Sequence, residues 1–286
     1  MGGAYDEAVP VSAVDIETYA RDGVVVLRGV VSSELLESLA EGVEKNLASP
    51  GPWANDYTPS GEPGRFFDDY VNWGRIPEFS EAALGGVLPG IAADLLGTRT
   101  PRFFHEHVLV KEPGTPTPTP WHHDDPYYGL DAMATVSLWV PLDPAPEPVA
   151  LRCIVGSHRT GKRFIPNRFV DDTPYISGRH QITSAQDGEY EAFEPLLDSQ
   201  RLHNDPKIQS FPAEPGDVVA FHFRTLHSAP GTVHQVTRRR VVSFRYVGDD
   251  ARWAERPWIT SPPLAAQGLT PGATLDDPRF PLIVIA

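Results

Sequence analysis

The 286-residue sequence has a single cysteine, Cys153, and no apolar run of the roughly 18 residues that a membrane-spanning helix needs. One cysteine excludes a disulfide-stabilised scaffold and a cysteine-based zinc site within one chain. Because Cys153 lies in the apolar run 151–155, we expect a buried structural thiol there. The first ten residues are acidic and have no apolar core, which indicates that they are not a signal peptide and favours a cytoplasmic location.

Basic residues are also scarce: the chain has 24 Lys and Arg and 38 Asp and Glu, which gives a net charge of −14. A surface of this kind repels phosphate backbones and anionic lipids, so nucleic acids and membranes are poor candidate partners. The sequence has no Gly-rich loop of the G-x-G-x-x-G or P-loop type, which disfavours a nucleotide-binding fold. These absences leave a small-molecule substrate as the favoured partner, and they do not distinguish a monomer from a homo-oligomer.

Proline and glycine are abundant, at 30 and 24 residues, which is typical of a loop-rich fold with many short strands. Residues 48–78 have no regular pattern. The sequence predicts a helix after the capping signal Ser12-x-x-Asp15, a strand at 24–27, a helix from Ser32 or Ser33, and a helix over 80–96. Further strands are predicted at 102–110, 135–140, 149–155, 218–223 and 239–247.

Helices that precede a series of short strands predict a β-barrel or a two-sheet sandwich with helices packed outside. We expect a single domain over residues 1–286. The aperiodic stretch 161–210 indicates a lid or a wrapping loop within that domain.

The segment 121–128, Trp-His-His-Asp-Asp-Pro-Tyr-Tyr, carries the clearest chemical signal. On an extended strand, residues two apart point to the same side, so a His-x-Asp pair presents an imidazole and a carboxylate together. Two such pairs overlap here, His122/Asp124 and His123/Asp125. A third ligand can come from His227, which we expect at the end of a strand that follows a Gly-Asp turn. Two histidines and one carboxylate suit Fe(II) oxygenase chemistry better than zinc chemistry.

A basic strand follows His227 and begins with Arg238, Arg239 and Arg240. The planar guanidinium matches the geometry of a carboxylate, so an arginine on this strand can hold a dicarboxylate cosubstrate. Strand alternation turns at least one of the three inward.

With these motifs, the sequence resembles the phytanoyl-CoA dioxygenase family of Fe(II)/2-oxoglutarate oxygenases. The resemblance runs from about Val14 to Trp253. It includes W-H-H-D at 121–124, S-L-W at 137–139, G-S-H at 156–158, G-D-V at 216–218 and L-H-S at 226–228. It implies a mainly β fold with flanking helices around a double-stranded β-helix core, also called a jelly roll, of the cupin-like kind.

The resemblance also implies a ligand set. Carried over residue by residue, it makes His122, Asp124 and His227 the ligands of Fe(II), and it places His123 and Asp125 on the other face of the strand.

The same resemblance suggests where 2-oxoglutarate is held. The family spacing points to Arg238 or Arg239 for the distal carboxylate, and an even spacing from Ser243 favours Arg239. Trp139 matches a tryptophan that lines the cosubstrate pocket in the family. His107, on an earlier strand, is the candidate for a further cosubstrate contact.

The implied activity is a dioxygenase that uses Fe(II), 2-oxoglutarate and O₂ to hydroxylate or otherwise oxidise a small organic acid, an amino acid or a natural-product intermediate. The acidic chain has no basic cluster for the phosphates of CoA, so an acyl-CoA substrate is not expected. Two other classes stay open: a cupin-like metal enzyme that does not use 2-oxoglutarate, such as an isomerase or hydrolase, and a metal-binding protein with a relict site. We expect aromatic and basic side chains to form the roof of the pocket, namely Trp53, Tyr57, Phe66, Phe67, Tyr70, Trp73, Arg75, Arg163, Arg168, Tyr175 and Arg179.

Overall fold

The computed structural model describes residues 11–169, 172–175, 193–196, 202, 204–233 and 238–285. The helices in these residues are α1 (Ala13–Asp22), α2 (Ser33–Ala48), α3 (Pro77–Leu84) and α4 (Val87–Leu96). The strands are β1 (Val24–Leu27), β2 (Asn55–Asp56), β3 (Phe66–Tyr70), β4 (Arg102–Lys111), β5 (Thr119–His122), β6 (Leu130–Asp131), β7 (Thr135–Pro141), β8 (Leu151–Ile154), β9 (Ile208–Phe211), β10 (Val218–Phe221), β11 (His227–Ala229), β12 (Arg239–Val247) and β13 (Arg252–Trp253).

Two antiparallel sheets form the core of the molecule. The larger has the strand order β1-β10-β7-β12-β4-β3-β2, and the smaller has the order β5-β11-β8-β9. Most neighbouring strands in both sheets come from distant parts of the chain, as when β12 lies between β4 and β7. This is the double-stranded β-helix that the resemblance implied, so the expected fold class is confirmed.

Strand alternation divides the large sheet into two different faces. Even-numbered residues of β7, β10 and β12, such as Leu138, Ala220 and Phe244, pack with Leu39, Phe79 and other side chains of the helices. Odd-numbered residues of the same strands face the small sheet, where Trp139 and Val241 pack with residues of β8 and β11. The helices therefore cover the outer face, and the inner face is left for the site.

The first helix begins and ends as its sequence predicts. Ser12 caps α1 by accepting a hydrogen bond from the backbone N–H of Asp15. Gly23 ends the helix in the left-handed conformation, at φ 75°. A side chain at Gly23 would also collide with His158 and Thr225, since a Cβ there would lie 2.3 Å and 2.5 Å from their nearest atoms. The tight approach packs α1 against the turn that leads to β11.

The single helix predicted over 80–96 is wrong, because two helices occupy this region. Gly85 is extended and Gly86 has a φ of 68°, so the pair separates α3 from α4. Pro89 lies in the first turn of α4, where a missing backbone N–H breaks no helical hydrogen bond.

The expectation that residues 48–78 are irregular is also wrong, since β2 and β3 lie there. All five residues of β3, Phe-Phe-Asp-Asp-Tyr, are buried, so the strand shows no alternation of polar and apolar residues. The strand β3 is formed by antiparallel pairing with β4, in which Phe66 lies opposite Lys111 and Tyr70 lies opposite His107. Tertiary pairing decides the conformation here.

Other predicted features agree with the structure or lie partly outside it. Cys153 is buried, as expected. Half of the predicted insertion 161–210 falls outside the described residues, and β9 begins before its end. No single helix in the described residues is long and apolar enough to cross a membrane; α3 and α4 reach the required length only together, with a bend of 41° between them.

Candidate functional site

Two of the predicted ligands lie at the ends of adjacent strands of the small sheet, and the third, Asp124, follows one of these strands. His122 is the last residue of β5 and lies directly opposite His227, the first residue of β11. The expectation that His227 ends the strand after the Gly-Asp turn is wrong, because β10 stops at Phe221 and a turn leads to β11. Asp124 is not on an extended strand either, since its φ of −70° and ψ of −36° start a 3₁₀ turn. The turn, rather than strand alternation, brings Asp124 to His122.

The ligand atoms of His122, Asp124 and His227 all lie within 4.8 Å of one another, and all three residues are buried. Oδ1 of Asp124 is 3.7 Å from Nε2 of His122 and 3.8 Å from Nε2 of His227. Nδ1 of His122 lies 2.8 Å from the carbonyl oxygen of Pro120, and Nδ1 of His227 lies 2.9 Å from that of Thr225. Because a carbonyl only accepts, each Nδ1 carries the proton and donates it, which leaves both Nε2 lone pairs facing Asp124.

The surroundings keep the histidines neutral and the aspartate charged. Burial lowers the pKa of His122 well below its usual value and also lowers the pKa of His227. Burial by itself would raise the pKa of Asp124, but the positive charge of Arg245, together with a hydrogen bond from Ser137, lowers that pKa. Ser137 donates this hydrogen bond of 2.8 Å to Oδ2 of Asp124. Neutral imidazoles and a carboxylate are the states in which these side chains bind a metal.

The overlapping pair, His123 and Asp125, points away from this cluster and has other partners. Nε2 of His123 accepts a hydrogen bond of 2.9 Å from the backbone N–H of Phe164, and burial lowers the pKa of His123 to about 4. Asp125 forms ion pairs with Arg163 at 2.6 Å and with Arg224 at 3.1 Å. His123 and Asp125 thus form contacts within the fold and do not face the ligand cluster.

The cluster opens into a cavity of about 830 Å³ between the two sheets, a volume that includes its open mouth. Its lining combines eight Phe, Tyr and Trp side chains and four aliphatic ones with polar and charged groups, which suits a small-molecule site. The lining residues are Tyr57, Asp68, Tyr70, His105, His107, Leu109, Thr119, His122, Asp124, Tyr127, Tyr128, Trp139, Leu151, Phe169, Tyr175, Phe221, His227, Ala229, Arg239, Val241, Ser243, Arg245 and Ser261.

Arg239 contributes a buried guanidinium to this cavity. Its Nη1 donates to the carbonyl oxygen of Val149, and among the described residues it contacts no carboxylate. Burial lowers its pKa to about 10. The neighbouring arginines differ, since Arg238 pairs with Glu44 and Arg240 pairs with Asp143, both away from the cavity.

A buried lysine lies beside Arg239. Lys111 is opposite Arg239 in the register of β4 and β12, and it is fully buried. Its Nζ donates to the carbonyl oxygens of Ala229 and Pro230 at 3.3 Å and 3.2 Å. Burial, followed by the charge of Arg239, lowers its pKa well below the usual value. Arg239 has no acidic partner among the described residues, and this makes its end of the cavity suitable for an anion.

The remaining predicted cosubstrate residues also line the cavity. Ser243 on β12 lies between Trp139 on β7 and His107 on β4 in the register of the sheet. The hydroxyl of Ser243 is buried and has no hydrogen-bond partner within the described part of the chain. The structure places His107 against a different group, because its Nε2 lies 2.9 Å from Oδ2 of Asp68.

The predicted pocket roof is only partly present in the structure. Tyr57, Tyr70 and Tyr175 line the cavity, and Trp53 stacks on Tyr70 with 6.1 Å between the ring centroids. Arg179 lies outside the described residues. The other members of that prediction, Phe66, Phe67, Trp73, Arg75, Arg163 and Arg168, do not line the cavity.

Sequence reasoning missed two residues that hold Asp124, namely Arg245 and Ser137. A signal for each was present, because Arg245 shares the inward parity of Arg239 on β12, and Ser137 shares that of Trp139 on β7.

Solved structures share this architecture. The chain aligns with the carbocyclase SnoK from nogalamycin biosynthesis, described as non-haem and α-ketoglutarate-dependent, at 24% identity and a TM-score of 0.72, covering 98% of this chain and 100% of that one. It aligns with the epimerase SnoN in complex with Fe³⁺, α-ketoglutarate and nogalamycin RO at 22% identity and a TM-score of 0.69, covering 94% and 97%. It aligns with EctD from S. alaskensis, bound to 2-oxoglutarate and 5-hydroxyectoine, at 20% identity and a TM-score of 0.63, covering 95% and 88%.

These likenesses establish the fold. A comparison with curated protein sequences gives no significant match. The model of the phytanoyl-CoA dioxygenase family matches residues 19–240, which include both histidines and the aspartate of the cluster as well as Arg239. The chain therefore belongs to the phytanoyl-CoA dioxygenase family.

Proposed function

We propose that the protein is an Fe(II)- and 2-oxoglutarate-dependent dioxygenase that hydroxylates or otherwise oxidises a small organic acid, an amino acid or a natural-product intermediate. One observation carries the proposal: a buried cluster of two histidines and one aspartate shares a cavity with a buried arginine that has no acidic partner in the described structure. Two histidines and one carboxylate are the ligand set of non-haem Fe(II) oxygenases.

The cluster fits an iron ion by its donor atoms. His122 and His227 present unprotonated Nε2 atoms, because each Nδ1 donates to a backbone carbonyl. Asp124 presents Oδ1 to the same point. Bound iron with 2-oxoglutarate would supply oxidation by O₂, coupled to decarboxylation of the 2-oxoglutarate to succinate.

The cavity also fits the cosubstrate. Arg239 would hold the distal carboxylate of 2-oxoglutarate in a charge-assisted pair. Ser243 offers a hydroxyl without a partner, and Trp139 provides a flat apolar wall on the neighbouring strand. The neighbours SnoK, SnoN and EctD are described with α-ketoglutarate or 2-oxoglutarate, which supports the same assignment.

The proposal is tested by adding Fe(II) and 2-oxoglutarate to the protein without oxygen. Chelation of iron by the keto-acid is expected to give a weak visible charge-transfer band that needs both additions. A metal enzyme that does not use 2-oxoglutarate would bind iron without this band, and that result would reject the proposal. Succinate formation in air, in the presence of candidate substrates, then identifies the reaction.

A further inference from the structure

A second polar group in the cavity centres on Asp68, which takes no part in the ligand cluster. Asp68 is on β3 and only 1% exposed, and it lines the cavity. Oδ1 accepts a hydrogen bond of 3.0 Å from the amide of Asn55. Oδ2 accepts one of 3.1 Å from the hydroxyl of Tyr57 and lies 2.9 Å from Nε2 of His107. Three donors directed at its two oxygens fit an ionised carboxylate, which only accepts.

His107 lies between Asp68 and Arg245. Nη2 of Arg245 lies 3.4 Å from Nδ1 of His107, and a guanidinium offers only donors. Nδ1 therefore faces Arg245 with its lone pair, and Nε2 donates its proton to Asp68. Within the described residues, Asp68 has no ion pair with a lysine or arginine.

Aromatic rings surround Asp68 and connect it to the metal ligands. The ring of Tyr57 lies 5.8 Å from that of Phe169, and Phe169 lies 4.8 Å from the imidazole of His122. Tyr70 and Tyr175 line the same cavity. A ligand group held at Asp68 thus lies in the same cavity as the candidate iron site, and the faces of these rings attract cations.

We propose that the substrate carries a protonated amine, which pairs with Asp68 among these aromatic rings. A buried carboxylate without a positive partner is unfavourable unless a ligand supplies the charge. The same carboxylate would repel a simple organic acid. The inference rests on the proposed function, and it narrows the substrate to an amino acid or an amine-bearing intermediate.

Three probes of one shape and different charge test the inference: benzylamine, benzyl alcohol and benzoate. Their dissociation constants are measured by calorimetry without oxygen, in protein saturated with Fe(II) and 2-oxoglutarate so that benzoate cannot occupy the site of Arg239. Benzylamine is expected to bind at least about tenfold more tightly than benzyl alcohol, because its ammonium group forms a charged hydrogen bond with Asp68. Benzoate is expected to bind most weakly.

Two variants assign the preference to Asp68. Asp68→Asn is expected to make benzylamine and benzyl alcohol bind alike, and so is Asp68→Ser, which serves if the first variant does not fold. The matched control is Asp56→Asn, which removes an exposed carboxylate that pairs with Arg65 outside the cavity and should keep the preference. Like the Asp68 variants, this control removes one negative charge from the protein, so it accounts for the effect of net charge on cation binding. Salt at about 0.15 M limits that long-range contribution in all variants.

The outcomes separate the inference from the proposed function. Equal binding of the three probes, or a preference that survives in Asp68→Asn, would overturn the inference while the Fe(II)–2-oxoglutarate band still supports the function. If the band never forms, the proposed function fails, but the same titrations in metal-free protein still show whether Asp68 selects a cation.

Discussion

Nε of Arg245 lies 3.4 Å from Oδ2 of Asp124, the same oxygen that accepts the hydrogen bond from Ser137. Both members of the pair are buried. Because Oδ2 is occupied, the other oxygen, Oδ1, is the one that faces the Nε2 atoms of His122 and His227. Arg245 therefore sets the orientation of the carboxylate as well as its charge.

Loss of Arg245 should weaken metal binding although Arg245 is not a ligand. We expect Arg245→Met to reduce the affinity for Fe(II) by about 10–100-fold, as is usual when a partner of a metal ligand is removed. Affinity is measured by competition with a chelator. Arg240→Met is the control, because Arg240 is on the same strand but pairs with Asp143 outside the cavity. Equal losses in the two variants would show that the effect is not specific to Asp124.

The two overlapping His-x-Asp pairs should respond differently to substitution. His122→Ala and Asp124→Ala are each expected to abolish stoichiometric Fe(II) binding, since each removes a ligand from the buried cluster. His123→Ala should keep the metal, because its ring accepts a hydrogen bond from Phe164 instead. Metal content after anaerobic gel filtration measures the difference. Retention of iron by His122→Ala together with loss by His123→Ala would reverse the assignment.

The three adjacent arginines should contribute unequally to 2-oxoglutarate binding. We expect Arg239→Ala to weaken binding by about 1.5–3 kcal/mol, the contribution of a hydrogen bond to a charged group. Arg238→Ala and Arg240→Ala should change it by about 0–1 kcal/mol, since both arginines pair with carboxylates outside the cavity. The measurement is the 2-oxoglutarate dissociation constant with Fe(II) present. If none of the three variants loses affinity, the cosubstrate carboxylate is held elsewhere.

Sequence patterns were informative where a residue's neighbours are set by the local chain. The cap at Ser12 and the bounds of β12 follow from short-range rules, and the inward parity of Arg239 follows from strand alternation. The jelly-roll core and the choice of His122, Asp124 and His227 as ligands followed from the family resemblance. The residue pattern alone left two overlapping His-x-Asp pairs as candidates.

Sequence patterns failed where the partner of a residue is far along the chain. β3 has no alternation because β4 and the packing around it bury both of its faces, so the run 66–70 gave no strand signal. For the same reason Asp68 was not identified, since its partner His107 lies 39 residues away. Asp124 reaches the cluster through a turn that it starts itself, just after the end of β5. The spacing of residues in the sequence does not distinguish such a turn from a continuing strand.

The Gly-Asp turn before β10 should contribute stability that depends on pH. Oδ1 of Asp217 accepts a hydrogen bond of 3.0 Å from the backbone N–H of Gly29, and Oδ2 accepts one of 2.9 Å from that of Glu214. Arg28 adds an ion pair of 2.6 Å. Burial tends to raise the pKa of Asp217, but these hydrogen bonds and the charge of Arg28 outweigh it and lower the pKa in the folded state.

A carboxyl with a lowered pKa in the folded state stabilises the fold above its unfolded pKa, which is about 3.9 for aspartate. This contribution is lost as the pH falls from there through the lower, folded-state pKa. We therefore expect Asp217→Ala to reduce the free energy of unfolding by about 1.5–3 kcal/mol at neutral pH, the range for hydrogen bonds to a charged group. The difference from the unmodified protein should shrink as the pH drops below about 4.

Urea unfolding of metal-free protein at neutral pH and at about pH 3 measures this change. Glu17→Ala is the control, because Glu17 is exposed on α1 and a surface substitution of this kind changes stability by less than about 0.5 kcal/mol. A loss in Asp217→Ala that stays the same at both pH values would mean that the side chain acts through packing, and that the charge on its carboxylate does not stabilise the turn.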